Sequence, residues 1–87
     1  MDISLNCQDT GSMSAIAVKF GRVTRSNRER RGLSQEALAE LANLNRTYLG
    51  EIERGVVVPS IDTMQKLANA LGEKLSTLIR QCEQNET

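Results

Sequence analysis

Histidine is absent from this chain of 87 residues. The commonest general base and the commonest imidazole metal ligand near neutral pH are therefore missing. Tryptophan is absent as well, and Phe20 and Tyr48 are the only aromatics, so any core is built from Leu, Ile, Val and Ala. No run of eighteen apolar residues occurs, and no membrane span is expected. The N-terminus lacks a basic stretch leading into an apolar run, so no secretory signal is expected either. Cys7 and Cys82 lie near opposite ends without CxxC spacing, a pattern that speaks against a zinc site. The expectation is a cytoplasmic protein with reduced thiols. A 9.6 kDa chain holds one small domain and rarely a deep cleft. With no Gly-rich phosphate loop and no paired carboxylates, it offers nothing for catalysis. No metal, cofactor or small-molecule ligand is expected.

Eleven basic and eleven acidic side chains cancel, but unevenly. Residues 1–14 carry two acidic side chains and no basic one, whereas residues 15–55 carry eight basic and five acidic. The positive charge is densest at Lys19, Arg22, Arg25, Arg28, Arg30 and Arg31. Local basic charge of this kind suits a polyanion. From charge alone, a solvated helix face is the simpler reading.

Residues 1–14 show no sustained periodicity and read as a flexible arm, in which Met13 offers an alternative start. From Ala15 the pattern turns helical. Phe20, Val23, Thr24 and Asn27 recur at one-face spacing, with Arg22, Arg25 and Arg30 off that face. Asn27 needs a partner if buried. Gly32 suits a left-handed helix end. Ser34 is placed to cap a second helix, Gln35 to Ala42, in which Leu38, Ala39 and Leu41 are apolar. Asn43-Leu44-Asn45 breaks that run, and Asn45 caps a third helix from Arg46 to Arg54 with Leu49 and Ile52 facing inward. Gly55 ends it. Val56-Val57-Val58-Pro59 is an extended connector, because proline excludes the preceding residue from the helical region. Ser60 caps a fourth helix, Ile61 to Leu71, with Ile61, Met64, Leu67, Ala68 and Leu71 as its apolar stripe. Gly72 stops it. A fifth helix runs from Leu75 to about Gln84. No strand signal appears. The fold expected of residues 15–84 is an all-α, compact five-helix bundle.

The informative stretch is residues 34–55, SQEALAELANLNRTYLGEIERG. It holds a short capped helix, a tight turn and a second short capped helix with polar residues at its leading end. A helix entering the DNA major groove presents such residues to base edges while the preceding helix crosses the backbone. Ala39 allows close crossing, Leu38, Leu49 and Ile52 lie beneath, and Asn45, Arg46 and Thr47 stand at the tip.

With PSIDTMQKLANALG following, this stretch resembles the phage-repressor-like (XRE, Cro/cI-type) helix-turn-helix regulators, from about Phe20 to Ile79. Phe20-Gly21-Arg22-Val23 and Asn45-Arg46-Thr47-Tyr48-Leu49 are especially similar to restriction–modification controller proteins. The resemblance implies a lambda-repressor-like fold and roles for particular residues. Gln35 would bond a phosphate. Arg46, Thr47 and Glu51 would face base edges, with Glu51 alternatively orienting Arg46. Tyr48 and Asn45 would meet backbone or base. Arg22 and Arg25 would flank phosphates. Arg28 and Glu53 match a structural ion pair. Departures from the family lie at Thr24 and Asn27, where relatives carry aliphatic residues, at Lys74, where they place a capping serine, and at Val56 to Val58, where they carry polar or basic ones.

The implied function is a sequence-specific transcriptional regulator of double-stranded DNA, homodimeric on a palindromic operator and controlling a restriction–modification operon. Leu75, Leu78, Ile79 and Cys82 are the candidate dimer interface; the alternative is that they close the core. RNA polymerase is a further candidate partner, through Glu36 and Glu40, whose simpler reading is a solvated face. The competing function is an antitoxin or DNA-associated adaptor that chiefly binds another protein.

Overall fold

The computed structural model describes residues 15–84. The expected N-terminal arm, with Cys7 and Met13, lies outside the described residues. Among the described residues five helices follow one another: α1 (Ala15–Arg30), α2 (Gln35–Leu41), α3 (Arg46–Arg54), α4 (Ile61–Leu71) and α5 (Leu75–Gln84). The architecture is an all-α five-helix bundle.

Side-chain caps set where three of these helices begin. Ser34 Oγ accepts from the Ala37 amide at 3.0 Å, and Ser60 Oγ accepts from Thr63 at 3.1 Å. Asn45 Oδ1 accepts from Thr47 at 2.7 Å and from Tyr48 at 3.3 Å. Each bond satisfies an amide that the first helical turn leaves without a backbone partner. α5 starts without such a cap, and the Lys74 carbonyl accepts from Thr77 and Leu78. α2 is one residue shorter than the apolar pattern suggests. Ala42 is its C-cap and Asn43 takes φ 59°, a left-handed conformation that asparagine tolerates better than most residues.

α1 packs chiefly against α3 and α5. The core joins Phe20 and Val23 of α1, Leu38 and Ala39 of α2, Leu49 and Ile52 of α3, Leu67, Ala68 and Leu71 of α4, and Leu78 and Cys82 of α5. Ile61 departs from the expected stripe: it is 68% exposed, because it stands in the first turn of α4, ahead of the part that meets the core. Leu41 is likewise exposed at the end of α2.

Two polar residues sit inside this apolar packing. Asn27 is buried, and its Nδ2 donates to the Val23 carbonyl at 2.8 Å and to Gln81 Oε1 of α5 at 2.9 Å. Its Oδ1 accepts from Arg30. The partner that a buried asparagine requires is therefore supplied, and it ties α1 to α5. Thr24 is fully buried, and its Oγ1 has no hydrogen-bond partner among the described residues.

Candidate nucleic-acid interface

The unit formed by α2, the turn and α3 is held from within and open at its tip. Leu44 donates to the Ala39 carbonyl at 2.7 Å and Ala42 to Leu38 at 2.9 Å, which closes the turn tightly. Leu38, Ala39, Leu49 and Ile52 are buried beneath it. Asn45, Arg46 and Thr47 are exposed at the leading end of α3, with Tyr48 and Glu51 half-buried behind them. Asn45 spends its side-chain oxygen on the cap. The ion pairs among the described residues are Arg25–Glu29, Arg28–Glu53 and Arg31–Glu73. Arg46 is thus not neutralised by Glu51, and the guanidinium faces solvent with its donors available.

The basic residues of α1 divide. Arg22 is exposed. Arg25 is exposed and donates to Glu29 at 3.0 Å across one helical turn, a pair worth little in water. Arg28 is different. Its Nε donates to Glu53 Oε2 at 2.7 Å, its Nη2 to Glu53 Oε1 at 3.1 Å and its Nη1 to the Leu33 carbonyl at 2.8 Å. Glu53 is 3% exposed at its side chain. The hydrogen bond to Glu53 pushes the Arg28 pKa above its ordinary value, against the opposing effect of burial. Both guanidinium edges are committed within the protein, so Arg28 is a strut between α1 and α3.

Gln35, the first residue of α2, does not stand free. Its Nε2 donates to Glu53 Oε1 at 2.9 Å. Glu53 thereby joins α1, α2 and α3 through one carboxylate. Nothing in the sequence pattern points to this bond, since the partners lie eighteen residues apart.

A second relation escaped the sequence reading. A Cβ on Gly21 would overlap the Ile52 carbonyl oxygen and stand 2.9 Å from that of Glu53. Only a glycine lets α1 lie so close to the end of α3. A glycine inside a helix costs about 1 kcal/mol against alanine, and that cost is the signal that could have found it.

Two of the four expected dimer residues require correction. Leu78 and Cys82 are 0% exposed within a single chain, and a side chain with no accessible surface cannot touch a second copy. They close the core, and burial pushes the Cys82 thiol pKa upward. Leu75 and Ile79 are half-buried against the same core. Exposed large apolar side chains lie instead at Ile16, Leu41, Val56, Val58 and Ile61, and Ile16 and Val58 line a groove together with Phe20, Pro59, Met64 and Ile79.

Among the described residues, no group of three or more cysteine, aspartate or glutamate side chains is placed to hold a metal. No described helix is long and apolar enough to cross a membrane.

Residues 25–78 match the family model described as Helix-turn-helix (HTH_3). The control protein C.BamHI of Bacillus amyloliquefaciens is 38% identical, with 82% of this chain and 95% of that one covered. The immunity repressor protein of Bacillus phage phi105 is 42% identical over 68% of this chain, which spans only 41% of that repressor. The crystal structure of the restriction–modification controller protein C.AhdI from Aeromonas hydrophila superposes with a TM-score of 0.72 at 45% identity, covering 75% of this chain and 98% of that one. The family match over residues 25–78, a capped and open α3, and controller-protein relatives aligned over nearly their full length lead to one conclusion: the chain belongs to the XRE-type helix-turn-helix family of DNA-binding regulators, with the fold and homology of restriction–modification controller proteins.

Proposed function

We propose that this protein is a cytoplasmic, sequence-specific transcriptional regulator that binds a palindromic DNA operator as a homodimer and controls a restriction–modification operon. The observation that carries the reading is the tip of α3, where the guanidinium of Arg46 and the side chain of Thr47 are exposed and Arg46 has no acidic partner among the described residues. A guanidinium forks onto guanine O6 and N7, a threonine methyl meets a thymine methyl, and a carboxylate such as Glu51 accepts from cytosine N4. Tyr48 and Asn45 border the same surface. Gln35, Arg22 and Arg25 supply phosphate contacts, which position the protein without reading sequence.

One such module buries only about 600–1,000 Å² on DNA. Two copies on a two-fold axis match half-sites about 34–36 Å apart. The surface for a second copy is the exposed apolar groove between Ile16 and Val58, which Ile79 also lines, with exposed Ile61 three residues beyond Val58. Glu36 and Glu40 are exposed on α2 and offer an acidic face to RNA polymerase. The exposed valines also suit the competing reading, an antitoxin or adaptor, which a stably co-purifying partner protein would favour.

Footprinting on DNA flanking the gene tests the proposal. The expected result is a protected site with dyad symmetry and an affinity that falls linearly in log–log form as salt rises. Absence of protection even at low salt overturns it.

A further inference from the structure

We propose that Glu53 is a positioning residue for DNA binding, acting through Gln35: its carboxylate fixes the Gln35 carboxamide so that the second Nε2 proton is aimed at a backbone phosphate. The inference rests on the DNA-binding reading above and deepens it. Glu53 is nearly inaccessible and cannot itself meet DNA. Its Oε2 accepts from Arg28 Nε, while its Oε1 accepts from both Arg28 Nη2 and Gln35 Nε2. The bidentate grip of Arg28 fixes the plane of the carboxylate, and the carboxylate in turn fixes the amide. The other edge of that amide lies over α3, with Gln35 Oε1 4.0 Å from where a Cβ on Gly50 would stand. One amide proton is committed to Glu53, and the Gln35 side chain makes no other hydrogen bond among the described residues. The second proton is the one left to donate. Held in place beforehand, it loses little freedom when a phosphate arrives.

A double-mutant cycle separates positioning from plain structure. Gln35→Ala should lower affinity about tenfold for operator and unrelated duplex alike, the size of one charge-assisted hydrogen bond. Glu53→Gln should lower it by a similar factor in the native background and by little more once Gln35 is alanine. Glu53→Asp keeps a negative charge facing Arg28 but draws the carboxylate back from Arg28 and Gln35 alike. It serves where Glu53→Gln does not fold, as judged by circular dichroism, and the same pattern is expected. In the free protein, the Gln35 amide proton bonded to Glu53 should resonate downfield of its ordinary position and return toward that position in either Glu53 variant. Equal losses at position 53 in both Gln35 backgrounds, or unchanged binding by Gln35→Ala, overturn the inference and leave DNA binding standing. No binding by the native protein to any duplex overturns the DNA-binding reading, and this inference with it.

Discussion

Gly21 of α1 lies directly against the carbonyl of Ile52 in α3, with no room for a side chain between the two backbones. The arrangement sets how far α3 projects from the body of the domain, because α1 is the element against which α3 is seated.

Substitution at the two helical glycines should therefore have opposite consequences. Gly21→Ala places a methyl group onto backbone oxygens that cannot swing aside, and a loss of about 3 kcal/mol is expected, at the upper end for overpacking. Gly50→Ala, in the interior of α3, meets only the Arg54 Nη1 at 3.3 Å and the Gln35 Oε1 at 4.0 Å, both at the ends of flexible side chains. It should gain up to about 1 kcal/mol from helix propensity. Urea unfolding of both variants checks the pair, and equal signs would refute the account.

The hydroxyl of Thr24 is buried and unpartnered. Removing it while keeping the branched shape, as in Thr24→Val, should stabilise the fold by about 1 kcal/mol. For a domain of this size that is roughly 4–8 °C in Tm. A lower Tm would mean that the hydroxyl has a partner in solution.

Arg46→Ala should leave the thermal midpoint unchanged, since Arg46 is exposed and supports no contact in the core. Its effect should appear as relaxed preference at one base pair per half-site, about 1–3 kcal/mol of lost discrimination. Selection from randomised operators measures this directly, and an unaltered preference would remove Arg46 from base reading.

The surface proposed for a second copy is tested by Val58→Asp and Ile61→Asp, both at positions 68% exposed in the single chain. Each should shift the mass in solution from dimer to monomer at micromolar concentration without lowering helix content. Leu78→Ala should behave differently and cost about 2–5 kcal/mol of stability through the cavity it leaves. Dimeric mass retained by both aspartate variants would place the interface elsewhere.

Element boundaries were legible in the residues because their causes are local. Ser34, Asn45 and Ser60 bond amides two or three residues onward, and Gly32, Gly55 and Gly72 take the positive φ that helix ends favour. The face of α1 was legible too, including Asn27 as a buried polar residue in need of a partner. The identity of that partner was not, since Gln81 lies 54 residues away. Leu75, Leu78, Ile79 and Cys82 form one helical stripe on paper, yet the bundle buries two of them fully and two in part. Periodicity tells which residues share a face but not how much of that face the neighbouring helices cover.

What the chain determines unaided is thus the set of helices, their caps, and the polar tip of α3, all settled by contacts within one or two turns. The fold alone decides that Glu53 joins three helices, that Gly21 admits α3 against α1, and that the exposed apolar surface lies at Val58 and Ile61 rather than along α5. Those relations connect residues tens of positions apart, and only the packing of one helix on another brings them within bonding distance.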